Sequence, residues 1–180
     1  MPRYFAFLRG INVGGHRIKM DRLRELVEAL GFAQVETFIA SGNVIFSSAS
    51  HDADAMEGRI GDHLHAALGY EVVTRIRSQS ELEGIAAFEP KDPAAADQSV
   101  YVILLAEEAD GELRQKLDGL STDTDRFEFS GREAYWLIRG KLSESPLFTM
   151  GLAKMTGGAS TTMRNLTTVR RLLAKYPAPD

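Results

Sequence analysis

Cysteine is absent from the 180 residues, which rules out disulfides, thiolate metal sites and a cysteine nucleophile and makes a reducing cytosol the simplest home. No apolar run approaches the ~20 residues of a membrane span. The opening Met1-Pro2-Arg3-Tyr4-Phe5-Ala6-Phe7-Leu8-Arg9 is too short in its apolar part for a signal peptide. Neither export nor insertion is expected. With 44% hydrophobic and 26% charged residues of both signs, the chain reads as an ordinary cytoplasmic globular protein. A globule of this length buries roughly 70% of its unfolded surface, enough for a core without staples.

Complete catalytic motifs are also missing. Gly10 and Gly15 fit the first half of a Walker loop, but His16 and Arg17 stand where Lys must reach the terminal phosphates and Ser or Thr must hold magnesium. Nucleotide hydrolysis is therefore disfavoured. Glycines at 10, 14 and 15 do not make the dinucleotide fingerprint either. Ser41-Gly42-Asn43 resembles one element of penicillin-recognising enzymes, yet no S-x-x-K occurs and Lys154-Met155-Thr156-Gly157 is not K-T-G. No G-x-S-x-G elbow exists. His63 and His65 lie two apart on a predicted helix, facing away from each other, and with His16 and His51 they read as surface residues rather than zinc ligands. No metal, no cofactor and no catalytic set is assigned, and whether the protein is an enzyme stays open.

What the chain does carry is a clear alternation of elements. Arg3 to Arg9 is apolar on both faces, as a central strand is. From Asp21, read as an N-cap, Leu23, Leu26, Val27 and Leu30 recur at helical spacing up to Gly31. Val35, Thr37 and Ile39 alternate before Ser41-Gly42-Asn43, and Val44-Ile45-Phe46 resumes, so the Gly-Asn pair predicts a tight hairpin. A second helix is expected over about Ala53 to Leu68, stopped by Gly69, and Val72 to Ile76 gives a fourth strand. This β-α-β-β-α-β order is the ferredoxin-like motif, an antiparallel sheet covered by helices.

The order then restarts. A capping box at Ser80 and Glu83 opens a linking helix, an alanine-rich connection follows Lys91-Asp92-Pro93, and Val100 to Leu105 reads as a strand. A helix from Asp110 to Leu120 and strands flanking Ser130-Gly131-Arg132 repeat the first half. Gly157 to Thr162 reads as a loop rather than an eighth strand, so the second copy is expected to be divergent and incomplete. A last helix buries Leu166, Val169, Leu172 and Leu173. The boundaries expected are 1–78 for the first half, 79–98 for the linker and 99–180 for the second half.

The net charge of -4 is unevenly spread. Arg3, Arg9, Arg17, Lys19, Arg22 and Arg24 oppose only Asp21 at the start. Arg139, Lys141, Lys154, Arg164, Arg170, Arg171 and Lys175 crowd the far end, with an acidic middle from Glu81 to Glu128. A basic surface would favour anionic ligands; solvated helix faces are the alternative.

Three ordered blocks carry a family resemblance. Leu8-Arg9-Gly10-Ile11-Asn12-Val13-Gly14-Gly15 with Ile18-Lys19-Met20, then Thr37-Phe38-Ile39-Ala40-Ser41-Gly42-Asn43-Val44-Ile45-Phe46, then Thr161 to Val169 resemble the bacterial family catalogued as domain of unknown function sixteen ninety-seven. The resemblance implies a ferredoxin-like α+β fold in a cytoplasmic protein and carries no established activity. Met163 departs from the family's direct Thr-Arg-Asn run.

The candidate site follows from topology. In a ferredoxin-like sheet the first strand ends at the edge where the second turns into the third, which should gather Arg9, Asn12 and Lys19 with Ser41 and Asn43. There the backbone at Gly14 and Gly15 could cradle an anion. Turn chemistry is the competing reading of Ser41 and Asn43. Arg164 and Asn165 stand at the mouth of the last helix, as a cap or as a second anion subsite. The expected partner is a small anionic or phosphate-bearing ligand. Nucleic acid, through stacking on Tyr135 and Trp136, and a protein partner at a sheet edge are the alternatives.

Overall fold

Alternation and capping, both local, account for most of the elements. The computed structural model describes residues 1–92 and 98–178; the alanine-rich connection expected after Asp92 lies outside the described residues. The chain divides into two units, Met1–Glu83 and Gly84–Pro177, each described by itself. No helix among the described residues is long and apolar enough to cross a membrane.

In the first unit β1 (Arg3–Arg9), α1 (Met20–Glu28), β2 (Ala33–Phe38), β3 (Asn43–Ser47), α2 (Ala53–Leu68) and β4 (Val73–Ser78) follow the β-α-β-β-α-β order. The sheet runs β2-β3-β1-β4 with antiparallel pairs throughout. Tyr4, Ala6 and Leu8 of β1 share a core with Val44, Phe46 and Ile76 and with Leu23, Val27, Met56, Ile60 and Leu64 of the two helices. Residues of odd number on β1 take the opposite face, in rows with Ile45, Arg75 and Arg77. α2 starts at Asp52, whose Oδ1 accepts from Ala55 N at 2.9 Å, and ends at Gly69 with φ 80°, the left-handed stop that glycine supplies without a Cβ penalty.

β4 is an edge strand, and an edge exposes unpaired backbone groups. Here α2 closes it. Glu57 accepts from Ile76 N at 2.7 Å and from Arg75 Nη1, so one buried carboxylate satisfies an edge N–H and neutralises the neighbouring guanidinium.

The second unit repeats the order with β5 (Gln98–Leu104), α4 (Gly111–Gly119), β6 (Asp125–Ser130), β7 (Glu133–Arg139), α5 (Leu152–Met155) and β8 (Thr162–Asn165), then α6 (Leu166–Lys175). Its sheet order, β6-β7-β5-β8, repeats that of the first unit. The expectation of an incomplete copy is thereby corrected: Thr162 to Asn165 pair with Leu104 to Tyr101 as the eighth strand. That strand escapes periodicity because it is short and at the edge, and its one buried position is a threonine rather than a large apolar residue. The reduced element is the second helix, replaced by 3-10 turns at Leu142–Glu144 and Phe148–Met150 and the four-residue α5.

Three local expectations shift. The N-cap of α1 is Lys19, with no side-chain bond, and Asp21 sits in the first turn. The linking helix α3 (Gln79–Ala86) opens on Ser78 and Glu81, not Ser80 and Glu83: Glu81 Oε2 accepts from Ser78 N at 2.8 Å and Ser78 Oγ from Glu81 N at 3.3 Å. The first hairpin is not a tight Gly-Asn turn, because Phe38 pairs with Asn43 and leaves residues 39–42 as the loop. The two-residue turn belongs to the second unit, where Ser130 pairs with Glu133.

Candidate functional site

The end of β1 meets the β2–β3 turn, as the topology requires. Leu8 N donates to Gly42 O at 2.8 Å. A Cβ on Gly42 would stand 3.0 Å from Leu8 Cβ and 3.3 Å from Ile11 Cβ, and its φ is 78°, so only glycine serves there on both counts.

Asn12 spans the two loops. Its Nδ2 donates to Ala40 O at 3.2 Å, its Oδ1 accepts from Ile18 N at 2.8 Å, and its carbonyl accepts from Arg17 Nη1 at 3.1 Å. Asn43 is fully buried and donates to Phe38 O and to Ser41 Oγ, both at 3.0 Å. These bonds hold the loops in place, engaging one amide N–H of Asn12 and both of Asn43. His16 packs its ring on Tyr70 at 3.7 Å between centroids, which ties the β1–α1 loop to the segment before β4. Asn12 and Ile39 adopt φ of 55° and 52°. For a β-branched residue that is a strained backbone, and Ile39 is exposed beside it.

Arg9 is different. It lies on the face of β1 shared with Phe7 and Arg75, next in register to Val73. Its Nη1 is buried and has no hydrogen-bond partner among the described residues. Burial lowers its pKa first of all; Glu71 pulls the other way, and Arg75 lowers it further. Among the described residues Glu71 forms no ion pair with Arg9 and acts at a distance. An arginine stays protonated regardless, so the site holds a fixed cation with an open N–H. Gly14 and Gly15, at φ 57° and 90°, have open space where a Cβ would stand, and Lys19 is exposed at the mouth of α1.

Arg164 and Asn165 belong to the second unit. Asn165 Oδ1 accepts from Thr167 N at 2.8 Å and caps α6, as its position suggests. Arg164 lies on β8 opposite Val102. Burial brings its pKa down to about 10, and its Nη1 donates to Met163 O at 2.8 Å. The hydroxyls of Thr161 and Thr162 are buried without a partner among the described residues.

Sequence reasoning overlooked the charges around Arg9, namely Glu71, Arg75 and its partner Glu57. Arg75 comes from β4, Glu57 from α2 and Glu71 from the connection between the two, and alternation on β4 alone would have put Arg75 and Arg77 on one face. It also overlooked Asp125, a fully buried carboxylate. It accepts from Ser145 Oγ at 2.6 Å, Trp136 Nε1 at 2.8 Å, Thr122 Oγ1 at 2.8 Å and Thr124 Oγ1 at 2.9 Å. Burial works to raise that pKa, but the bonds from Ser145, Thr122, Trp136 and Thr124 together outweigh it, and the group lies below its ordinary value.

The chain resembles a solved structure, that of the conserved bacterial protein SP0830 from Streptococcus pneumoniae, with a TM-score of 0.71 and 20% identity over 97% of this chain and 99% of that one. At that identity the likeness speaks for the fold alone. No curated protein matches the chain. The family described as a protein of unknown function (DUF1697) matches residues 1–135, which take in both loops of the rim, and the chain belongs to that family.

Proposed function

We propose that the protein binds a small anionic, phosphate-bearing ligand at the rim of the first unit, with Arg9 as its fixed cation. The observation that carries this reading is the buried Arg9 Nη1 with no partner among the described residues. A buried donor left unsatisfied costs about 1–3 kcal/mol, more when charged, and an oxyanion would satisfy it with a charge-assisted bond. Lys19 and the backbone at Gly14 and Gly15 would supply further positive groups at the mouth. Asn12, Ser41 and Asn43 then act as scaffolding, since their polar groups already hold the loops. The reading stops at binding. A cytoplasmic home belongs to the same proposal, supported by the absence of cysteine.

The nucleic-acid alternative loses support in this geometry. Trp136 is 2% exposed and its indole N–H is spent on Asp125, and the Tyr135 ring is covered by Phe88, so the two rings form no open platform along which successive bases could stack.

A thermal-shift screen against inorganic phosphate, nucleotides, sugar phosphates, carboxylates and heparin tests the reading. A ligand at a hundred times its Kd adds ~2.7 kcal/mol, which for a chain of this size raises Tm by roughly 5–10 °C. Arg9→Ala should erase the shift without lowering the unliganded Tm, because it removes the unsatisfied donor. A variant that responds as the parent does would show that Arg9 is not the grip.

A further inference from the structure

The described residues that follow α3, up to Asp92, meet the second unit most closely at Phe88. Phe88 lies over Tyr135 with centroids 3.6 Å apart and planes 4° from parallel. Aromatic side chains more often meet offset or edge-on; close parallel stacking is the geometry of a planar ligand or base on an aromatic platform. Arg170 of α6 grips the same residue, its Nη2 donating to Phe88 O at 2.9 Å and its Nε to Ala86 O at 2.9 Å. Glu89 Oε1 stands 3.5 Å from that Nη2.

Further along, the contacts weaken. Lys91 N donates to Glu128 Oε1 at 3.1 Å, and Asp92 meets Arg126 at 3.6 Å with both side chains half exposed or more. Exposed pairs of that kind contribute little. The strap is thus held at Phe88 by a stacked ring and beside it by oxygens on one guanidinium, the Glu89 carboxylate among them. Its two nearest oxygens are neutral carbonyls, and a guanidinium binds an oxyanion roughly twice as strongly as a neutral acceptor.

We propose that residues 86–92 are a displaceable strap and that Phe88 covers a binding site, formed by the Tyr135 ring and the Arg170 guanidinium, for a small ligand in which a planar ring carries an oxyanion. Such a ligand repeats both contacts that Phe88 makes and improves the second by its charge. A nucleoside monophosphate and an aromatic carboxylate share this chemistry, and the two serve as separate arms of the test. The site involves the second unit alone and does not depend on the reading at Arg9.

The experiment titrates adenosine monophosphate and benzoate into the full chain carrying Arg9→Ala, so that the rim of the first unit cannot contribute. Affinity is read by calorimetry, and exchange of the Lys91 amide by NMR. Adding Phe88→Ala should tighten one arm at least tenfold, and Arg170→Gln on top should lose at least that factor. Without the Phe88 change, saturating ligand should speed exchange of the Lys91 amide as the strap leaves Glu128. The arm that responds identifies the oxyanion. Binding that is absent in the Phe88→Ala protein, or that survives Arg170→Gln unchanged, would overturn the proposal. Should Phe88→Ala unfold the second unit, Phe88→Leu and the Lys91 amide decide the matter, and a Lys91 amide unmoved by either ligand would overturn it.

Discussion

The two units share a strand order but differ in how they close their cores. In the first, a 16-residue α2 lies along the sheet and sends Glu57 to the edge strand, where it meets Ile76 N and Arg75. In the second, the corresponding stretch is 3-10 turns and a four-residue α5. Trp136, Leu147 and Met155 fill the core there. A large indole brings a buried N–H with it, and that donor needs an acceptor. Asp125 provides one and is itself held by hydroxyls from Ser145, Thr122 and Thr124. A shortened helix is thus offset by bulk plus a buried carboxylate, and each unit rests on a different acid.

The largest expected effect breaks this comparison at both acids. Asp125→Ala should cost about 4 kcal/mol, since it strands the indole N–H and removes a charge satisfied by several donors. Glu57→Ala should cost about 3 kcal/mol, as expected for breaking a buried ion pair from one side. The single tryptophan lies in the second unit, so urea unfolding followed by its fluorescence reports on Asp125 directly, and circular dichroism covers both units. Loss of the tryptophan transition in Glu57→Ala ahead of the circular-dichroism change would contradict the assignment of each acid to its own unit.

Acid sharpens the contrast. The folded pKa of Asp125 is depressed, so its contribution is fully present above the unfolded value of about 3.9 and fades as pH falls through the folded one. The urea midpoint read by Trp136 should drop as pH falls below about 4. Asp125→Asn should be weaker at neutral pH but show a flatter acid limb. Parallel acid limbs in parent and variant would remove Asp125 as the source.

The two hairpins differ next. Gly42 would press a Cβ onto Leu8 and Ile11, whereas Gly131, at φ 55°, would meet only Glu133 Oε2 at 3.5 Å. Gly42→Ala should therefore cost about 3 kcal/mol and Gly131→Ala about 1 kcal/mol, the latter being the left-handed backbone penalty alone. Equal losses in chemical denaturation would mean that the close approach to Leu8 is easily relaxed. The smallest effect has the opposite sign. Ile39→Gly relieves a β-branched residue at φ 52° and should raise stability by about 1 kcal/mol, visible as a higher Tm.

Local signals were legible because their partners are close in sequence. Gly69 ends α2 and Asp110 opens α4 where the pattern put them, and each acts on backbone within a turn. β8 was not legible, since Thr162-Met163-Arg164-Asn165 has no apolar alternation, and its strand identity comes from the ladder offered by β5. The rim was half legible. Topology brings Arg9 to the β2–β3 turn, but Asn12 resembles a ligand contact until its bond to Ala40, 28 residues away, shows where the amide is spent.

Hydrophobic periodicity and glycine placement by themselves determined the order of strands and helices as far as β7 and the restart of that order in the second half, because these follow from backbone geometry and solvent exclusion acting over a few residues, and the meeting of the β1 end with the β2–β3 turn follows from that order by topology. Only tertiary structure decided which polar groups are spent and which are open. Whether Arg9, Asn43 or Asp125 finds a partner depends on atoms brought within 3 Å or so by packing, and no pattern along the chain encodes that distance.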